Sequence, residues 1–100
     1  MAVVPERFRD SIRRELSDLV AGTRPELMTW VDRYGKEKAV LMPQPEEIWT
    51  HDRTDFLARP DGSVFVVLPL WTAEESPSDL SAEVDVAANG VSTIVDVRVL

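Results

Sequence analysis

One hundred residues, 44% of them apolar and with only four glycines and seven prolines, are expected to fold as a single domain spanning residues 1–100. The lack of cysteine removes disulfides, thiolate nucleophiles and Cys-based zinc or iron–sulfur sites. The formal charge of −7 argues against a nucleic-acid partner: residues 51–100 hold three Lys/Arg against nine Asp/Glu, whereas phosphate affinity rests on Lys and Arg.

Met1–Asp10 mixes charges among its apolar residues and has no leader-like hydrophobic stretch. The longest apolar run, Val64–Trp71, has strand length and contains Pro69, so no membrane span is expected and the expected location is cytoplasmic. The spacing of Phe8, Ile12, Leu16, Leu19 and Val20 predicts a helix over Pro5–Ala21, with Pro5 in the first turn and Gly22 as the stop. Its arginines, Arg7, Arg9, Arg13 and Arg14, alternate with acids and read as a solvated face. A second helix is expected over Arg24–Tyr34. Thr23 and Glu26 would form a capping box, Leu27, Val31 and Tyr34 a stripe, and Gly35 the end before a charged turn at Lys36–Lys38.

Ala39–Met42 is a short apolar run, halted by Pro43 and Pro45. Glu46–His51 fits either one helical turn or a short strand; Pro45 and the paired glutamates favour the turn. Strands are expected at Phe56–Arg59 and Ser63–Trp71, joined by the turn Pro60-Asp61-Gly62. After the acidic loop Thr72–Ser78, Leu80–Ala88 and Val91–Val99 read as a hairpin around a two-residue Asn89-Gly90 loop. That loop sets Val86 against Thr93, Val84 against Val95, Ala82 against Val97 and Leu80 against Val99, with Ile94 on the opposite face beside Asp85.

Ser63–Trp71 is apolar on both faces, with Val64, Val66, Leu68 and Leu70 on one and Phe65, Val67 and Trp71 on the other. Two helices cover one face of so small a sheet, which leaves Phe65, Val67 and Trp71, with the acidic Glu74 and Glu75 nearby, as the expected interaction surface. Trp71 suits core and interface equally. Pro69, which donates no ladder bond, marks a bulge or a sheet edge.

Chemistry is sparse. Glu83 and Asp96 face each other across the hairpin and read as a hard-cation site, as an acid and base pair, or as a solvated pair offset by Arg98. His51, the single histidine, lies near Asp52 and Asp55 but lacks the partners of a triad or a metal site. No phosphate-binding glycine loop or dinucleotide fingerprint is present, and no cofactor or metal is expected.

The segments Arg14-Glu-Leu-Ser-Asp-Leu-Val-Ala-Gly22, Tyr34-Gly35, Leu68-Pro-Leu-Trp-Thr-Ala-Glu-Glu-Ser-Pro-Ser-Asp-Leu80 and Val97-Arg-Val-Leu100 together resemble a family of short bacterial domains of unknown function. The resemblance implies a compact bacterial domain and brings no activity with it. Helices followed by an antiparallel sheet are also similar, at the level of fold, to cone-shaped nuclear-transport-factor-like and cystatin-like proteins.

The expected architecture is α+β: two N-terminal helices on one face of a curved antiparallel sheet of about four strands, ending in a C-terminal hairpin. The expected function is non-catalytic, as a protein-interaction or accessory domain, toxin-neutralising or self-associating into a homodimer. The alternative is a small ligand-binding protein or enzyme with Tyr34, His51, Asp52 and Asp55 in a pocket between helices and sheet.

Overall fold

A computed structural model describes residues 4–34 and 39–99. The Gly35 stop, the Lys36–Lys38 turn and Leu100 lie outside the described residues. The α+β reading holds: helices pack on a four-stranded antiparallel sheet of order β1-β2-β3-β4. Its strands are β1 (Asp55–Ala58), β2 (Val64–Pro69), β3 (Leu80–Val86) and β4 (Ser92–Val99).

The three-and-four spacing of apolar residues produces α1 (Glu6–Val20), which turns Ile12, Leu16 and Leu19 into the core. Pro5 precedes its first turn, and Gly22, at φ +81°, takes the left-handed conformation that ends it. The second helix departs from expectation. It divides into a 3₁₀ turn at Pro25–Leu27 and a single short helix, α2 (Thr29–Arg33), with non-helical Met28 between them. The capping box is absent: Arg24 stands at the N-cap position of the 3₁₀ turn, and Thr23 turns its hydroxyl back to donate to Asp18 O of α1. Leu27 and Val31 still reach the core, and α1 and α2 both pack on β4.

Between the helices and the sheet runs the Leu41–Thr54 segment. Leu41 bridges to Thr72, and Glu46–Trp49 forms one 3₁₀ turn, the helical alternative at that position. Thr54 holds this turn by donating its hydroxyl to Ile48 O at 2.5 Å.

One face of the sheet is sealed. Val64, Val66, Leu68 and Leu70 from the β2 region meet Leu80, Ala82, Val84 and Val86 from β3, all at most 3% exposed. On the other face Phe65 and Val67 remain half-buried. Pro69 ends β2, opposite Ser81 and beyond the last β1 pair, Asp55–Val67. Leu70 N–H bonds Leu80 O, so the alternation turns the Pro69 nitrogen toward the side that β1 has already left, where a missing donor costs nothing.

The C-terminal hairpin keeps half of its expected register. Leu80–Val99, Ser81–Arg98, Ala82–Val97 and Glu83–Asp96 pair as the spacing requires, but Val84 faces Ile94 and Val86 faces Ser92. The loop has three residues, Ala88-Asn89-Gly90, closed by Ala87 N–H on Val91 O. The two-residue alternative needs positive φ at both loop positions; here only Gly90 has it, at +89°. A bulge at Val95 restores the phase. Ile94, the larger side chain, is buried as a result, while Val95 is 48% exposed.

Carboxylates cap part of each outer edge of the sheet. Arg59 N–H bonds Ser63 O, so the β1–β2 alternation turns Phe56 N–H away from β2, where it donates to Asp55 Oδ1. On β4, Ile94 N–H donates to Glu15 Oε1 and Ile94 O accepts from Arg24 Nη2; Val97 N–H donates to Asp96 Oδ1. Glu15 and Arg24 are themselves ion-paired at 3.2 Å. A strand approaching either edge finds these groups already bonded.

Candidate functional site

The polar residues expected to share a pocket are dispersed. Tyr34 donates its hydroxyl to Glu75 Oε1 at 2.7 Å and accepts from Asp79 N–H at 3.0 Å, pinning the acidic loop. The Asp79 N–H favours the phenolate. The hydrogen bond that the phenol donates to the Glu75 carboxylate, burial, and the charges of Asp79 and Glu75 outweigh it, so the phenol is held above its ordinary value. His51 accepts from Arg53 N–H through Nδ1 and stands edge-on to Trp71, ring centroids 5.5 Å apart. Asp52 is exposed, and Asp55 caps the β1 edge. No hydrogen bond or ion pair links any two of these four residues, and no acid–base pair is assembled.

The expected interaction surface is also divided. Trp71 is 7% exposed and belongs to the core. Gln44 holds it there through both ends of its amide: Oε1 accepts from Trp71 N–H at 2.7 Å, and Nε2 donates to Trp71 O at 3.0 Å. Glu74 and Glu75 are exposed on the loop that Tyr34 pins. Phe65 and Val67 remain on the outer sheet face beside exposed Leu57. The Arg59 guanidinium covers the Phe65 ring at 5.6 Å and also pairs with Asp85 Oδ1 at 2.9 Å, at an angle that makes an ion contact rather than a hydrogen bond. Glu83 and Asp96 face each other there, and Arg98 Nε lies 2.9 Å from Glu83 and 3.8 Å from Asp96, supplying the cation their repulsion demands. Among the described residues no group of three or more His, Asp or Glu side chains is placed to hold a metal ion. No helix among them is long and apolar enough to cross a membrane.

The concave site lies elsewhere. A cavity of about 360 Å³ separates α1 from the Pro43–Trp49 segment. Leu16 and Val20 form one wall, Pro43 and Pro45 the other, and Ile48 and Trp49 the floor. It exists because Ser17 and Ala21, small and four residues apart, occupy the same flank of α1, while the two prolines keep the opposite segment from closing as regular structure. Trp49 is itself fixed: its O accepts from Val4 N–H, and Val4 O accepts from Arg9 Nε.

Polar groups meet at the mouth. Arg13 reaches from α1 to the facing wall, donating to Asp10 Oδ1 at 2.9 Å and Glu46 Oε1 at 3.0 Å. Its guanidinium stands 5.4 Å from the Trp49 ring centroid. Gln44 also lines the cavity, but its amide is committed to Trp71 and Met42 O. The site thus combines apolar walls, a deeply set indole that is 2% exposed, and one tethered cation.

Arg13 and Trp49 were visible in the sequence only as part of a solvated arginine face and as one tryptophan of three. The usable signal was the small pair Ser17 and Ala21 on a helix flank, followed downstream by the proline pair Pro43 and Pro45.

A family model described as "Domain of unknown function (DUF7668)" matches residues 2–100. No curated protein and no solved structure matches the chain.

Proposed function

The chain belongs to the DUF7668 family, whose description assigns no activity, and we propose that it is a non-catalytic interaction domain which receives an apolar side chain of a protein partner in the groove between α1 and Pro43–Trp49. The carrying observation is an unfilled apolar cavity floored by Trp49, whose charged neighbours are tied to each other at the rim. Tryptophan-lined concavities with a polar rim are where binding energy concentrates in protein interfaces. The capped N–H groups on both sheet edges agree with this reading, since they disfavour strand addition. An accessory role in a bacterial cytoplasm, including neutralisation of a toxin, is one form of this function.

The test is an amide NMR titration of the full chain with a neutral ten-residue peptide carrying a single Leu-Trp anchor. Shifts centred on Leu16, Ser17, Val20, Ile48 and Trp49, with Kd of roughly 0.1–1 mM, are expected for one small anchor. Ser17→Trp should fill the groove, retain the thermal transition and remove binding. Shifts confined to Phe65 and Val67, or none at all, overturn the proposal.

The apolar lining of the cavity also favours a second reading, a small apolar ligand. Indole saturating the groove more tightly than the peptide would select it.

A further inference from the structure

We propose that the partner segment bears an arginine or lysine next to its apolar anchor, and that Arg13 occupies the place of that cation in the free protein. This rests on the groove being the docking site.

A guanidinium is recognised by carboxylates that accept its planar N–H groups and by an aromatic face beneath it. The mouth of the groove supplies both: Asp10 on α1, Glu46 on the facing wall, and the Trp49 ring between them. Glu6, Asp10 and Glu46 gather there with Arg9, which also stands 5.8 Å from the Trp49 ring centroid, and Arg13, so the cradle keeps a net negative charge. Asp10 and Glu46 stand well into solvent, with side chains 85% and 76% exposed, within reach of an incoming group. Exposed ion pairs are worth at most about 1 kcal/mol, so the Arg13 strap opens at small cost. Once Arg13 swings aside, the anchor gains access to the cavity and Asp10 and Glu46 gain a new cation from the partner. An acidic flank would set its carboxylates against theirs. The chain's overall charge of −7 acts in the same direction, drawing a basic partner and repelling an acidic one.

The experiment uses the full chain and three ten-residue peptides that share one Leu-Trp anchor and differ only in its flanking pair: Arg-Arg, Gln-Gln or Glu-Glu. At low salt the Arg peptide should bind about tenfold more tightly than the Gln peptide, the scale of one charge-assisted hydrogen bond, and the Glu peptide should not saturate. Raising NaCl to 0.3 M should narrow the Arg–Gln difference. Asp10→Asn with Glu46→Gln, at two exposed positions, should leave the fold intact and erase the preference, whereas Arg13→Gln should strengthen the Arg peptide by vacating the cradle. If the Gln peptide binds the wild type as well as the Arg peptide, the basic-partner inference falls and the groove stands. If none of the three binds, the groove falls with it.

Discussion

The two sides of β2 carry nearly the same chemistry and meet different fates. Val64, Val66 and Leu68 face helices and are shut away from water, while Phe65 and Val67, interleaved with them, stay half-covered beneath one guanidinium and a fringe of carboxylates. Apolar character in a strand therefore states a preference, and the neighbouring layer decides whether it is met. On the inner side each methyl group has packed neighbours on all sides, so truncation leaves a cavity. On the outer side solvent fills whatever is removed.

Leu68→Ala against Phe65→Ala is the sharpest way to break that contrast. Leu68→Ala should cost about 3 kcal/mol, lowering Tm by roughly 12–24 °C, and Phe65→Ala about 1 kcal/mol, despite the larger side chain lost. Equal losses in urea titrations would mean that the outer face is covered too, by a second copy or by another packing. Solution mass measured with and without Phe65→Glu would identify a second copy.

Ser78→Ala tests polar sealing of the same interior. Ser78 is fully buried, donating its hydroxyl to Leu70 O at 2.8 Å and accepting from Leu80 N–H at 3.1 Å. Removing it orphans the Leu80 N–H, while Leu70 O keeps its bond from the Ser78 N–H, and should cost about 2 kcal/mol in chemical denaturation. Smaller still, Tyr34→Phe should lose about 1 kcal/mol, because its partners at the loop regain water. Since folding raises the Tyr34 pKa, the stability tied to its proton is complete below the unfolded value near 10 and is lost as pH rises through the folded value. The wild type should thus weaken with alkali more steeply than Tyr34→Phe; parallel curves would refute the contact.

Asp61 should show the opposite sign with the least effect. Hydrogen bonds from the Ser63 hydroxyl and Ser63 N–H hold its carboxylate below the usual range. Its contribution is present above the unfolded pKa and disappears as pH falls through the folded one. Asp61→Asn should flatten the acid limb of Tm against pH.

Local rules were enough for α1, for the Pro60-Asp61-Gly62 turn and for the antiparallel order of β2, β3 and β4. In each, periodicity and a glycine or proline lie within a few residues of what they determine. They failed where a competing neighbour or a remote partner decides. Thr23 looks like a cap until Asp18 O takes its hydroxyl. Trp71 suits core and interface equally until Gln44, twenty-seven residues earlier, ties it down. The groove needs a helix flank and an irregular segment some thirty residues apart to meet without filling the space between, and nothing in either stretch alone announces it. Tyr34, His51, Asp52 and Asp55, chosen as the available polar groups, went instead to loop pinning, ring packing, solvent and an edge cap.

The hairpin holds one further consequence. A three-residue loop plus a bulge at Val95, and a two-residue Asn89-Gly90 loop with no bulge, deliver the same pairing from Glu83–Asp96 to Leu80–Val99. The extra residue behaves like a dislocation in a crystal, free in principle to glide between Val95 and the tip while the lattice beyond stays in place. What halts its glide is the Glu15–Arg24 pair gripping both backbone atoms of Ile94. Cutting that grip would set residues 91–95 exchanging between two frames, with Ile94 and Val95 trading sides.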